Sequence, residues 1–180
     1  MELEPRRLIK FVTAFCVVAA AVLGVSGMWS NAAAADLTQL FQDARTQAAQ
    51  LRRDAVQMES FTRSKLAWRS YADQVETIKA HVNKTGDIVS QIRAARGDAG
   101  KRQQEAIDRM VPLLQELASN TTAIIDHLNQ TPKHLTDPTY QQYLSANAEL
   151  ATALSQEVSD AVASDNAERK IQKLQDQVSR

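Results

Sequence analysis

The chain has a single cysteine, Cys16, and it lies inside an N-terminal apolar run. No intramolecular disulfide can form, and no Cys-x-x-Cys-His exists to attach haem covalently. Five glycines and four prolines among 180 residues are too few for a loop-rich fold. Aromatic residues are scarce, while Ala, Gln, Leu and Asp are plentiful, as in helical bundles. Neither sign of charge is in excess, with 21 basic and 21 acidic residues. Phosphate affinity needs clustered positive charge, so a dedicated nucleic-acid binder is not expected. The three histidines, His81, His127 and His134, share no ligand spacing, and no metal site is expected. A ferritin-like di-iron site would need Glu-x-x-His on two helices, but Ile78 and Ile124 stand three residues before His81 and His127. No motif places Ser, His and Asp as a nucleophile elbow. The chain reads as a non-enzyme that needs no cofactor.

What is present begins with an export pattern. Arg6, Arg7 and Lys10 form a basic start, and no residue from Phe11 to Trp29 is charged. Ala33-x-Ala35 then fits a signal-peptidase site, with cleavage before Asp36. The apolar run of about 19 residues is long enough to span a bilayer if it stays uncut. Gly24, Ser26 and Gly27 weaken it as a permanent span. Residues 1–35 therefore read as a signal peptide or N-terminal anchor, and 36–180 as one folded unit outside the cytoplasm. The expected location is the periplasm or the exterior, possible attachment to the inner membrane being through residues 1–35 alone. Cys16 is not a lipoprotein cysteine, because Phe15 precedes it. Arg6-Arg7 matches a twin-arginine signal poorly.

The remainder is organised around Trp68 to Ile92. Trp68, Tyr71, Val75, Ile78, Val82, Thr85, Val89 and Ile92 recur at alternating spacings of three and four. That is a heptad seam along one helix, which cannot bury it alone. A first helix over about 35–60 carries Leu37, Phe41, Ala44, Ala48, Leu51, Ala55 and Met58 in the same alternation. Ser60 to Ser64 offers several caps and is read as a turn. The second helix spans about 64–96, with Gly97 as a left-handed C′ residue. Gly86 within it predicts a bend or a close helix contact. The third, about 98–131, uses Ile107, Met110, Leu114, Leu117, Thr121, Ile124 and Leu128, and Pro112 predicts a kink near Asp108.

Pro132 to Asp137 is the clearest break. Asp137 as N-cap and Pro138 at N1 open a fourth helix with Tyr140, Leu144, Asn147, Ala151, Leu154, Val158 and Ala161. The phase then slips and resumes as Ala167, Ile171, Leu174 and Val178. Asp165 with Glu168 can form a capping box that opens a separate tail helix, or the fourth helix can continue past the slip. The predicted fold is all-α: an antiparallel up-down four-helix bundle with left-handed coiled-coil-like packing and a C-terminal helical extension.

Several residues are candidates for a role beyond packing. Thr121 and Asn147 occupy seam positions where Leu is expected, and are read as a buried polar layer fixing register, the alternative being a polar ligand pocket. Met58 and His127 should lie near one end of the bundle, where a Met/His pair could ligate a b-type haem; against this, a seam Met is ordinarily core. Trp68, Tyr71, Tyr140 and Tyr143 gather at the same end. They form either an aromatic plug or a ligand or partner surface. Arg96-Gly97-Asp98 spells an adhesion tripeptide, but a helix end followed by a helix start explains it. The Asn-x-Thr sequons at Asn83, Asn120 and Asn129 fall on predicted helices rather than loops.

Ser60-Phe61-Thr62-Arg63-Ser64 through Trp68, His81-Val82-Asn83, Leu113 to Ala118 and Asp126-His127-Leu128-Asn129 together resemble exported bacterial helical-bundle proteins of no assigned activity. That resemblance covers most of residues 36–180 and implies a bacterial, extracytoplasmic helical protein. It carries over no functional residues. The function expected is non-enzymatic binding or scaffolding, with a protein partner or a second copy. The alternatives are a small-ligand or haem-binding bundle, and an amphipathic bundle that binds lipid surfaces.

Overall fold

The computed structural model describes residues 30–64, 66–131 and 134–179. The basic start and the apolar run to Trp29 lie outside them, and so does their reading as an export signal. The described chain is all-helical. Four long helices, α1 (Ser30–Ser60), α2 (Trp68–Ala94), α3 (Lys101–Gln130) and α4 (Pro138–Val178), pack into a bundle. Each packs against two others: α1 on α2 and α4, α3 on α2 and α4. Among the described residues no helix is long and apolar enough to cross a membrane.

The three-four alternation explains the core. All seven α1 seam residues from Leu37 to Met58 are buried, as are Tyr71 to Ile92 on α2 and Tyr140 to Ala161 on α4. Trp68 and Leu114 are half-buried at the core's margin. The alanines of α1, Ala44, Ala48 and Ala55, are almost completely covered. Each fully buried Leu or Ile, such as Leu51, Ile78 or Leu117, contributes about 1.5–3 kcal/mol of transfer free energy.

The helix ends depart from expectation for local reasons. After Ser60 the chain tightens into a 3-10 turn, Phe61–Arg63, and Ser64 and Ala67 are extended. This delays α2 to Trp68 rather than Ser64. Gly97 is not a left-handed C′ residue. It sits inside a 3-10 turn, Arg96–Asp98, which Arg96 holds by a two-pronged ion pair with Asp108 at 2.7 and 3.0 Å. Asp98 therefore belongs to that turn, and α3 begins at Lys101. Gln103 accepts the Gly100 N–H at 3.0 Å, the backward half of a capping box. Helix α3 runs unbroken through Pro112. A Cβ on Gly86 would meet Leu114 Cδ2 at 3.8 Å, an ordinary contact, so no close approach demands glycine there.

Asp137 caps α4 by accepting the Thr139 N–H at 2.8 Å, with Pro138 in the first turn. Of the two readings at Asp165 and Glu168, a capping box or a continuous helix, the structure shows the continuous helix. Asp165 accepts Gln103 Nε2 at 3.2 Å and pairs with Arg169 at 2.8 Å, one helical turn on. No Gly or Pro follows Ala161, nothing stops the helix, and α4 continues to Val178.

Candidate functional site

The aromatic end is built where the α1–α2 link meets the α3–α4 link. Tyr71 Oη donates to the Phe61 carbonyl at 2.8 Å, and its ring meets Phe61 edge-on at 5.4 Å. Tyr140 lies 6.0 Å from Tyr71 and is stacked on His127 at 4.6 Å with a 16° interplanar angle. Trp68 Nε1–H donates to the Leu128 carbonyl at 3.1 Å. Burial pushes the Tyr71 phenol up; burial, then the neighbouring Tyr71, pushes the Tyr140 phenol further up. Both remain neutral across the physiological range. The Tyr140 hydroxyl is buried without a hydrogen-bond partner among the described residues. Tyr143 is only half-buried, and its carbonyl accepts Asn120 Nδ2 at 2.7 Å.

The two haem-ligand candidates are both occupied with packing. Met58 is buried in the core. His127 Nε2 lies 3.3 Å from the His134 carbonyl while the ring face rests on Tyr140. A flat macrocycle between these helices would have to displace Tyr140, the largest of the fully buried side chains.

The polar layer consists of three residues. Thr121 Oγ1 donates to the Leu117 carbonyl at 2.8 Å and lies 3.2 Å from Asn147 Oδ1. Asn120 Nδ2 also reaches that oxygen at 3.3 Å. Asn147 Nδ2 has no partner among the described residues. With the Thr121 proton given to Leu117, Asn120 supplies the donor to that oxygen, and the layer ties α3 to α4.

One pairing escaped sequence reasoning. Asp54 on α1 meets His81 Nδ1 on α2 at 2.6 Å, and Asp54 is the one charged residue among the buried ones described. Gln74 Nε2 donates to the Asp54 carbonyl at 3.2 Å beside it. The signal was present but faint: Asp54 and His81 each immediately precede a seam residue, Ala55 and Val82. A carboxylate orienting an imidazole is two-thirds of a hydrolytic triad. No hydroxyl or thiol side chain hydrogen-bonds the His81 ring among the described residues, so the pair is an interhelical tie.

The opposite end holds a groove of about 360 Å³ lined by Leu37, Asp98, Gly100, Gln103, Asp165 and Glu168 among others. Arg102 spans its rim to Glu168 at 3.6 Å, and Arg169 reaches Thr38 on α1. Among the described residues, no group of three or more His, Cys, Asp or Glu could hold a metal ion. No family model, curated protein or solved structure matches the chain significantly.

Proposed function

We propose that the protein is an exported, non-enzymatic scaffold that acts by binding in the periplasm or at the cell surface. In this reading the four helices run up and down alternately, with left-handed coiled-coil packing in keeping with their heptad seams. Residues 1–35 direct export and are removed before Asp36 or retained as an anchor. The observation that carries the binding role is the last third of α4. Residues 166–179 are exposed on every side, and three of the large exposed apolar residues described, Ile171, Leu174 and Val178, lie there. Within the bundle, Arg109–Glu157 and Asp54–His81 join helices, and Arg96–Asp108 joins the 3-10 turn to α3. Such an arrangement favours association over turnover.

Native mass spectrometry of the protein from fractionated cells tests this reading. The expected species is a chain beginning at Asp36, or a retained full chain in the membrane fraction, associated with protein. A cytoplasmic full-length chain would refute export. A bound haem or small molecule at full occupancy would refute the scaffold role.

A further inference from the structure

Helix α4 carries two different apolar stripes. Along the bundle it buries Leu144, Asn147, Ala151, Leu154, Val158 and Ala161. Continuing that alternation beyond Ala161 lands on Asp165, Glu168, Gln172 and Gln175, all polar. The apolar residues of the tail, Ala167, Ile171, Leu174 and Val178, fall on another face of the same helix. Their exposure is high for large apolar groups: 56% for Ile171, 53% for Leu174 and 88% for Val178. The core therefore does not account for them.

We propose that this stripe is a self-association surface, on which the tails of two copies of the chain pair side by side and antiparallel. Four physical arguments lead to a second copy. The stripe is confined to a and d positions over two heptads, the width of a helix–helix seam, whereas a face that lies in a lipid surface is broader. Its spacing, four then three then four, reads the same in both directions. A twofold axis between Gln172 and Lys173 thus sets Ile171 against the partner's Leu174 and Ala167 against the partner's Val178. Large residues meet at the centre and small against medium at the edges, in an isologous contact.

Charge selects the direction. In the antiparallel pair Glu168 lies beside the partner's Gln175, and Lys170 beside the partner's Gln177, so no like charges meet. In a parallel pair the same line would continue up α4 to the exposed Asp160, setting that acid near its own copy at a cost. Antiparallel tails instead carry the two bundles to opposite ends, where Asp160 stays in water. Twelve residues from each chain make a small interface, so the association is reversible and concentration-dependent. The pairing concerns the tail alone and would hold wherever the protein resides; its failure would leave the export reading standing.

Sedimentation equilibrium and small-angle scattering on the protein as its own cells make it test this, alongside Ile171→Glu with Leu174→Glu. The expected result is a monomer–dimer equilibrium whose dimer is about 105 Å long, from 1.5 Å per residue along two α4 helices overlapping at their tails. The double variant keeps the helical signal and melting temperature, because neither residue touches the core, and weakens the dimer at least about tenfold. A monomer at every concentration would overturn the proposal. So would a dimer that the variant leaves intact, such as one formed through residues 1–29, or a dimer no longer than a single chain. Solution monomers that bind anionic phosphatidylglycerol vesicles through Ile171 and Leu174 would assign the stripe to lipid and also overturn it.

Discussion

The first and last parts of α4 are one unbroken helix with the same kind of apolar repeat, yet they end in opposite environments. From Tyr140 to Ala161 the repeat is buried between α1 and α3; from Ala167 to Val178 it is in water. Helical periodicity therefore specifies a face, and only the presence of neighbours specifies burial. The described ties to neighbours lie at the start of the tail: Arg169 meets Thr38 of α1, and Glu168 meets Arg102 of α3. The change of face at residues 162–167 is where the sequence marks the passage from the buried repeat to the exposed one.

The sharpest way to break the comparison is to truncate the same residue type in each part. Leu154→Ala removes a fully buried side chain and should cost about 2–5 kcal/mol in urea unfolding. Leu174→Ala should change the monomer by less than about 0.5 kcal/mol. Equal losses would mean that the tail is part of the cooperative core.

The next effect concerns the tie between α1 and α2. His81→Ala leaves the Asp54 carboxylate largely buried without its partner, and should cost about 1–3 kcal/mol. The double variant Asp54→Ala with His81→Ala should recover part of that loss, because an unpaired buried charge is worse than none. Additive losses in the double-mutant cycle would show that the two side chains are not coupled.

A smaller effect, of opposite sign, is expected at the aromatic end. The Tyr140 hydroxyl is buried and unpartnered, so Tyr140→Phe removes a desolvated polar group and keeps the packed ring. Stability at neutral pH should rise by about 1 kcal/mol. The phenol is held neutral in the fold by burial, so its folded value lies above its unfolded one. That contribution is fully present below about pH 10, where the unfolded chain would ionise, and is lost as pH rises further. The phenylalanine variant should unfold less steeply above pH 10.

What was legible in the sequence follows the same division. The seams inside the bundle could be read from the three-four alternation, Trp68 and Leu114 lying at their margin, whereas the same alternation from Ala167 to Val178 is exposed. The ends could not be read as well, since side chains from elsewhere decide them. Gly97 looked like a helix terminator, but Arg96 gripping Asp108 winds it into a 3-10 turn. Asp165 looked like a cap, but Gln103 of α3 takes its carboxylate. Of the candidate site, the aromatic residues could be assigned to one end from helix lengths alone. The stacking of His127 on Tyr140 and the Asp54–His81 pair required knowing which faces touch.

Asp137 gives the finest test of how far local sequence governs α4, because its role is readable without any neighbour. Hydrogen bonds from the Thr139 N–H and then the Thr139 hydroxyl, followed by the nearby His127, hold its carboxylate below the ordinary range. A lowered folded value means that the carboxylate stabilises the fold above the unfolded value of about 4, and that this is lost as pH falls through the folded value. Asp137→Asn keeps a capping oxygen but has no such titration. The melting temperatures of the two proteins should differ slightly in favour of Asp137 at pH 6–7 and converge as pH falls below about 4. The effect is small because the carboxylate faces solvent, where the helix-end charge is screened. A difference that stays constant across that range would mean that the cap acts through shape alone. Convergence would show that the start of α4 is set by charge at its own N-terminus.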